Sequence, residues 1–140
     1  MLDILKLKNL QRFLPDEFKI DFNIPRVERV VYKTINGKYL PVFTSTVKNK
    51  QFSYNICTDF YIKMGCEFML FIIGDYGLAI VPSVIVRKYN NFSGWKLDTK
   101  KGRQFWIRGQ YDPERSTIKF ACINCKEEDV DLTPYFIKIT

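Results

Sequence analysis

The run Cys66-Glu67-Phe68-Met69-Leu70-Phe71-Ile72-Ile73 is the most apolar in the chain and constrains its fold more than any other stretch. It is short and continuous rather than alternating, so it reads as a central strand buried on both faces. Gly74-Asp75-Tyr76-Gly77 then reads as a turn, residues 78–81 return as a strand, Pro82 punctuates, and residues 84–87 continue it. Upstream, residues 2–14 carry Leu and Ile at helical spacing, with Asp3, Lys6, Lys8, Asn9 and Arg12 between them. They predict a short amphipathic helix stopped by Pro15, acting as a lid on a sheet or, alternatively, as a dimer contact.

Residues 18–24 alternate Phe and Ile with polar partners and predict a strand. Residues 27–35 and 39–46 predict two more, joined through Asn36-Gly37, a strong hairpin signal. Residues 52–56 predict a further strand. Residues 58–64 fit a short helix capped by Thr58 or a strand rich in Tyr and Ile. Residues 122–131 read as a polar, acidic connection, and residues 132–139 close the chain with Pro134 at an edge or bend. The sum is eight to ten short strands at intervals of roughly 8–12 residues. Twelve Phe and eight Tyr suit such β-structure better than a helical bundle. The expected fold is mainly β (α+β), an open pseudobarrel of short strands with one or two covering helices, and residues 1–140 form a single domain.

Charge is unevenly distributed. The net +7 resolves into two basic regions around an apolar, slightly acidic centre, with an acidic end. Residues 1–50 carry ten basic and five acidic side chains, and residues 87–119 carry nine and three. Such clustering predicts a polyanion partner. With no histidine, Ser-His-Asp and Cys-His catalysis and His-ligated zinc are excluded. No apolar run approaches the ~18 residues of a membrane span, so no membrane association is expected. Asp3, Lys6 and Lys8 interrupt any signal-peptide core, and a cytoplasmic location is expected.

Catalytic constellations are sparse. Cys122 and Cys125 have C-x-x-C spacing, but Cys57 and Cys66 lie nine positions apart in apolar context, which favours four free thiols over a zinc site. No cofactor is expected. The segments FSYNI, DFYI and CEFMLFIIGDYGLAIVPS resemble the later half of some restriction-type nuclease cores of the PD-(D/E)XK superfamily. That chemistry needs an E-x-K beside an acidic strand to hold Mg²⁺. Residues 39–50 (YLPVFTSTVKNK) contain no carboxylate, and the E-x-K at Glu17-Phe18-Lys19 comes too early. The chain is therefore read as non-enzymatic, with a divergent or degenerate nuclease fold as the alternative. A further alternative is a protein-interaction or inhibitor module using the N-terminal helix and exposed aromatics.

Residues 94–120 (GWKLDTKKGRQFWIRGQYDPERSTIKF) read as a long basic β-hairpin. Phe105 and Ile107 alternate with Gln104 and Arg108, while Trp106 stands on the polar side although its size argues for core packing. Residues 111–116 supply the turn and residues 117–120 the return strand. Basic, aromatic ribbons of this kind reach into DNA grooves. The loop at residues 47–51 offers Lys48 and Lys50 as phosphate contacts or as a solvated turn.

Residues 77–120 resemble the B-three DNA-binding pseudobarrel of plant transcription factors and restriction-enzyme recognition domains. Leu78-Ala79-Ile80-Val81-Pro82 looks like that family's strand ending in Ile-Pro. Gly102-Arg103-Gln104-Phe105-Trp106-Ile107-Arg108 looks like its Gly-(Lys/Arg)-x-Trp-x-(Val/Phe)-Arg strand. The resemblance implies a non-catalytic, sequence-specific double-stranded DNA-binding module, the target-recognition part of a restriction or phage-defence system, partnered by a nuclease or NTPase domain or subunit. It implies Arg108, Gln110, Tyr111, Arg115 and Ser116 near base edges or phosphates. Lys96, Lys100, Lys101 and Arg103 would be positioning phosphate contacts.

Overall fold

The computed structural model describes residues 4–90, 96–121 and 129–139. In chain order the elements are α1 (Ile4–Leu10), β1 (Val31–Lys33), β2 (Tyr39–Ser45), β3 (Gln51–Ile56), α2 (Thr58–Lys63), β4 (Phe68–Ile73), β5 (Gly77–Pro82), α3 (Ser83–Asn90), β6 (Lys96–Thr99), β7 (Gly102–Asp112), β8 (Thr117–Phe120), β9 (Val130–Asp131) and β10 (Phe136–Lys138). Short 3₁₀ turns occupy Gln11–Phe13, Asp16–Phe18 and Thr133–Tyr135. The strands form two open sheets. Sheet A has the order β1-β2-β4-β5-β10 and sheet B the order β3-β7-β8-β9, with β6 also on β7. Among the described residues only β2 and β4 pair in parallel; the other pairs are antiparallel. The protein is a mainly β, α+β open pseudobarrel with a few short helices.

Sheet A is the middle layer. Along β4, Met69, Phe71 and Ile73 face sheet B, while Leu70 and Ile72 face the N-terminal segment. The apolar run is thus buried on both faces, as its lack of alternation predicts. Leu7, Leu10 and Leu14 pack with Leu40, Val42, Leu78 and Ile80 on the outer side of the sheet, so the N-terminal helix is a lid. Phe71 is the hub between the sheets. Its ring lies 5.0 Å from Tyr54, 5.6 Å from Phe43 and 5.5 Å from Phe120. Tyr54 also donates its hydroxyl to the Ile72 carbonyl oxygen at 2.8 Å. A buried polar tip is thereby satisfied, as an apolar site demands.

Three strand expectations fail, each for a local reason. Residues 18–24 are not a strand. Phe18 ends a 3₁₀ turn, Ile20 makes a single bridge to Thr34, and Asp21 then turns the chain by accepting from the Asn23 and Ile24 amides. The strand expected at residues 27–35 shrinks to Val31–Lys33, because Val31 donates back to Glu28 and closes a turn. Residues 84–87 are helical. The Ser83 amide and hydroxyl are taken by the carbonyls of Glu67 and Cys66 at 2.8 and 2.6 Å, which pulls the chain out of sheet A after Pro82. Val86 and Tyr89, three apart, then share the buried face of α3. Packing here overrides the β preference of two valines and an isoleucine. The ambiguous residues 58–64 resolve as α2.

Candidate nucleic-acid interface

Among the described residues, sheet B buries one face only. Phe52, Tyr54 and Ile56 of β3, Phe105, Ile107 and Tyr111 of β7, and Ile118 and Phe120 of β8 point into the core. The intervening residues point outward, as a period of two requires. Cross-strand register sets Gln51 opposite Gln110, Ser53 opposite Arg108 and Asn55 opposite Trp106; Gln110 also faces Lys119 of β8. The outer face is therefore a polar surface of amides and a hydroxyl, with Arg108 lying over the Trp106 ring at 4.6 Å. Close approach of the two strands depends on Gly109. A Cβ there would sit 2.1 Å from the Phe52 ring, which fills its place on the inner side.

The predicted contact residues separate along this sheet. Strand β7 runs ten residue steps, about 33 Å. Lys100, Lys101 and Arg103 lie at its hairpin with β6, whereas Lys48, Lys50, Arg115 and Ser116 lie at the opposite end. Lys48 and Lys50 belong to a tight turn in which Asn49 and Lys50 have φ of 53° and 62°. Residues 113–116 form the β7–β8 turn, organised by the Asp112 carboxylate accepting from the Glu114 and Arg115 amides. Arg108 and Gln110 stand between the two ends on the outer face.

Several expected contacts are otherwise engaged. Tyr111 is a correction: its parity sends it inward, its ring stacks on Tyr76 at 4.8 Å, and it is buried. Burial also raises its hydroxyl pKa. Lys101 is committed to Glu28 at 2.6 Å and lies over Phe60, so it clasps the hairpin tip to the N-terminal half. That hydrogen bond, with one from the Arg29 amide, holds the Glu28 carboxyl below its ordinary range. Arg103 shares the parity of Phe105 and pairs with Asp98, directly across β6–β7, at 3.5 Å. Ser116 accepts from Lys138 at 3.4 Å, and Arg115 stands 3.9 Å from Asp112. Lys96 lies in β6 opposite Phe105, and its side chain is outside the described residues. Among the described residues, Lys48, Lys50, Lys100 and Arg108 have no carboxylate partner.

Trp106 corrects the expectation of core packing. It is 37% exposed on the outer face, because β7 keeps its alternation and the inner positions on either side are taken by Phe105 and Ile107. Sequence reasoning missed Gln51, Ser53 and Asn55. Their signal was available in the alternation Gln-Phe-Ser-Tyr-Asn-Ile, but only pairing with β7 makes them part of the same surface.

A groove of about 560 Å³ flanks this face where β3, β7, β8 and β9 meet. Lys50, Arg115 and Lys119 line it together with Asp112, Asp129 and Asp131. Lys119 is held by Asp129 at 2.6 Å, and the Thr133 amide keeps the Asp131 carboxyl below its usual value. The β9 side is thus charge-balanced, while the β3 side is basic and polar.

Cys57 and Cys66 are buried free thiols, and burial pushes the Cys66 thiol up to about 11, so it stays protonated and unreactive at neutral pH. Cys122 and Cys125 lie outside the described residues. Among the described residues no three acidic or cysteine side chains are grouped to hold a metal ion, and no helix is long and apolar enough to cross a membrane. Comparison with protein-family models, curated proteins and solved structures found no match.

Proposed function

We propose that this chain is a non-catalytic double-stranded DNA-binding module that lays the outer face of β3 and β7 along a DNA groove. The observation that carries the reading is the pairing of Gln51, Ser53 and Asn55 with Gln110, Arg108 and Trp106 on the solvent face of sheet B. Amides and guanidinium are the groups that direct readout uses. Strands β3 and β7 lie about 5 Å apart, a two-stranded ribbon of the width that the ~12 Å major groove admits. Lys48 and Lys50 at one end and Lys100 at the other are separated by nearly one turn of duplex, where phosphates recur. The charge-balanced β9 side, where Asp129 neutralises Lys119, offers phosphate no net attraction and bounds the interface there. The B-three-like resemblance agrees with this reading, and so does a role as the recognition part of a restriction or phage-defence system, delivering a nuclease or NTPase to its site.

Fluorescence anisotropy with a random-sequence duplex, across a salt series and without added metal, tests the proposal. Phosphate contacts by Lys48, Lys50 and Lys100 predict a log–log salt slope of roughly −3. Lys48→Ala with Lys50→Ala should flatten the slope by about 2. No binding at low salt would overturn the reading.

A further inference from the structure

Resting on that reading, we propose that the β3–β7 face reads two bases set two steps apart: guanine through Arg108 and adenine through the Gln51–Gln110 pair. The ladder fixes the geometry. The Tyr111 amide donates to the Lys50 carbonyl oxygen at 2.9 Å, which sets Lys50 and Tyr111 on a hydrogen-bonded rung. The alternation of an antiparallel ladder makes Gln51–Gln110 and Ser53–Arg108 non-hydrogen-bonded pairs, in which opposing side chains stand closest. Two exposed carboxamides thus rise side by side from one rung. Together they present the donor and acceptor pattern that matches the N6 and N7 edge of adenine.

Arg108 occupies the next outward rung. Successive outward residues on a strand repeat at about 6.8 Å, twice the ~3.4 Å spacing of stacked bases. Where the strand lies along the duplex axis, the two rungs therefore meet base pairs separated by one intervening pair. The Trp106 ring, one rung further on, holds the guanidinium at 4.6 Å and draws it away from Gln110. The arginine and the amide pair then address different bases. The small Ser53 side chain opposite Arg108 leaves space for a base edge to approach the guanidinium.

The test is selection from a randomised duplex pool, with sequencing of the bound fraction for the parent chain and two variants. An adenine column and a guanine column separated by one position are expected, each discriminating roughly 5- to 100-fold against the wrong base. Arg108→Lys keeps the charge but loses the two-pronged donor. It should erase the guanine column alone, an outcome that a purely electrostatic Arg108 would not give. Gln51→Ala with Gln110→Ala should erase the adenine column alone. All three side chains face solvent, and unchanged thermal unfolding verifies that the variants fold. Binding without these columns, columns at another spacing, or variant columns identical to the parent would overturn the inference while leaving duplex binding intact. Absence of any duplex binding by the parent would instead sink the reading beneath it.

Discussion

Sheet A and sheet B differ in what their strands ask of the sequence. Sheet A is covered on both sides, so β4 is apolar at every position from Met69 to Ile73 and its parity serves only to divide residues between two cores. Among the described residues sheet B is covered on one side, so β3, and β7 from Phe105 to Tyr111, alternate between buried and outward positions. The difference teaches where function has room. A position buried on sheet A is committed to density, and changing it disturbs neighbours on two layers. A position on the outer face of sheet B can be any side chain that tolerates a strand, and this chain places amides, an arginine and a tryptophan there.

The comparison breaks most readily at Phe71, the hub shared by both sheets. Phe71→Ala should cost about 3–5 kcal/mol of stability by urea unfolding, since it leaves a cavity among Phe43, Tyr54 and Phe120. A loss below about 1 kcal/mol would mean that the two sheets do not share a packed core.

Next comes Gly109, where the inner side of sheet B touches its outer function. Gly109→Ala drives a methyl into the Phe52 ring and should cost about 1–3 kcal/mol in the same assay. Phe52→Leu should recover part of that loss in the double variant, which distinguishes a local clash from a general weakness of β7.

Alkaline pH probes the inter-sheet core without mutation. Burial raises the hydroxyl pKa of Tyr54 and Tyr89, and pushes Tyr61 from its ordinary 10.0 up to about 12. A tyrosine with a raised folded pKa holds its proton more tightly in the native state than in the unfolded one. Its contribution is therefore full below pH 10 and is lost as pH rises towards 12. The melting temperature should fall through that window, and Tyr61→Phe should reduce the fall.

The smallest effects belong to the surface. Ser53→Ala and Asn55→Ala should each change stability by no more than about 0.5 kcal/mol. The Lys101–Glu28 clasp should have an acid-sensitive contribution. Because the Glu28 carboxyl is lowered on folding, the pair stabilises above the unfolded carboxylate pKa and is lost as pH falls through the folded one. The melting difference between the parent chain and Lys101→Ala should therefore shrink on acidification below the carboxylate range.

Much of the fold was legible where one periodicity dominated. The apolar run, the N-terminal leucine spacing and the Asn36-Gly37 and Gly74–Gly77 turns each carried a single physical meaning, and the structure keeps them. Residues 18–24 and 84–87 misled because β-branched and aromatic content describes a preference, whereas Asp21 turns the chain through local bonds from the Asn23 and Ile24 amides and Ser83 redirects it through bonds to Cys66 and Glu67, distant in sequence. The candidate site was half legible for the same reason. Alternation in β7 identified Arg108 as outward and the resemblance supplied Gln110, but adjacency in sequence gathered Lys101, Arg103, Tyr111 and Arg115 into one surface that the strand's own length pulls apart.

By itself the sequence determined the β-rich class, the buried centre, the covering helix, the basic balance and the loss of every histidine-dependent chemistry, because composition and period act locally and need no partner. Only the tertiary structure decided that β3 lies against β7 in the register that joins Gln51 to Gln110. Only it committed Lys101 to Glu28, turned Tyr111 inward and left Trp106 on the solvent face. Those outcomes depend on contacts between residues tens of positions apart, whose free energy is realised only when both sheets are assembled around Phe71.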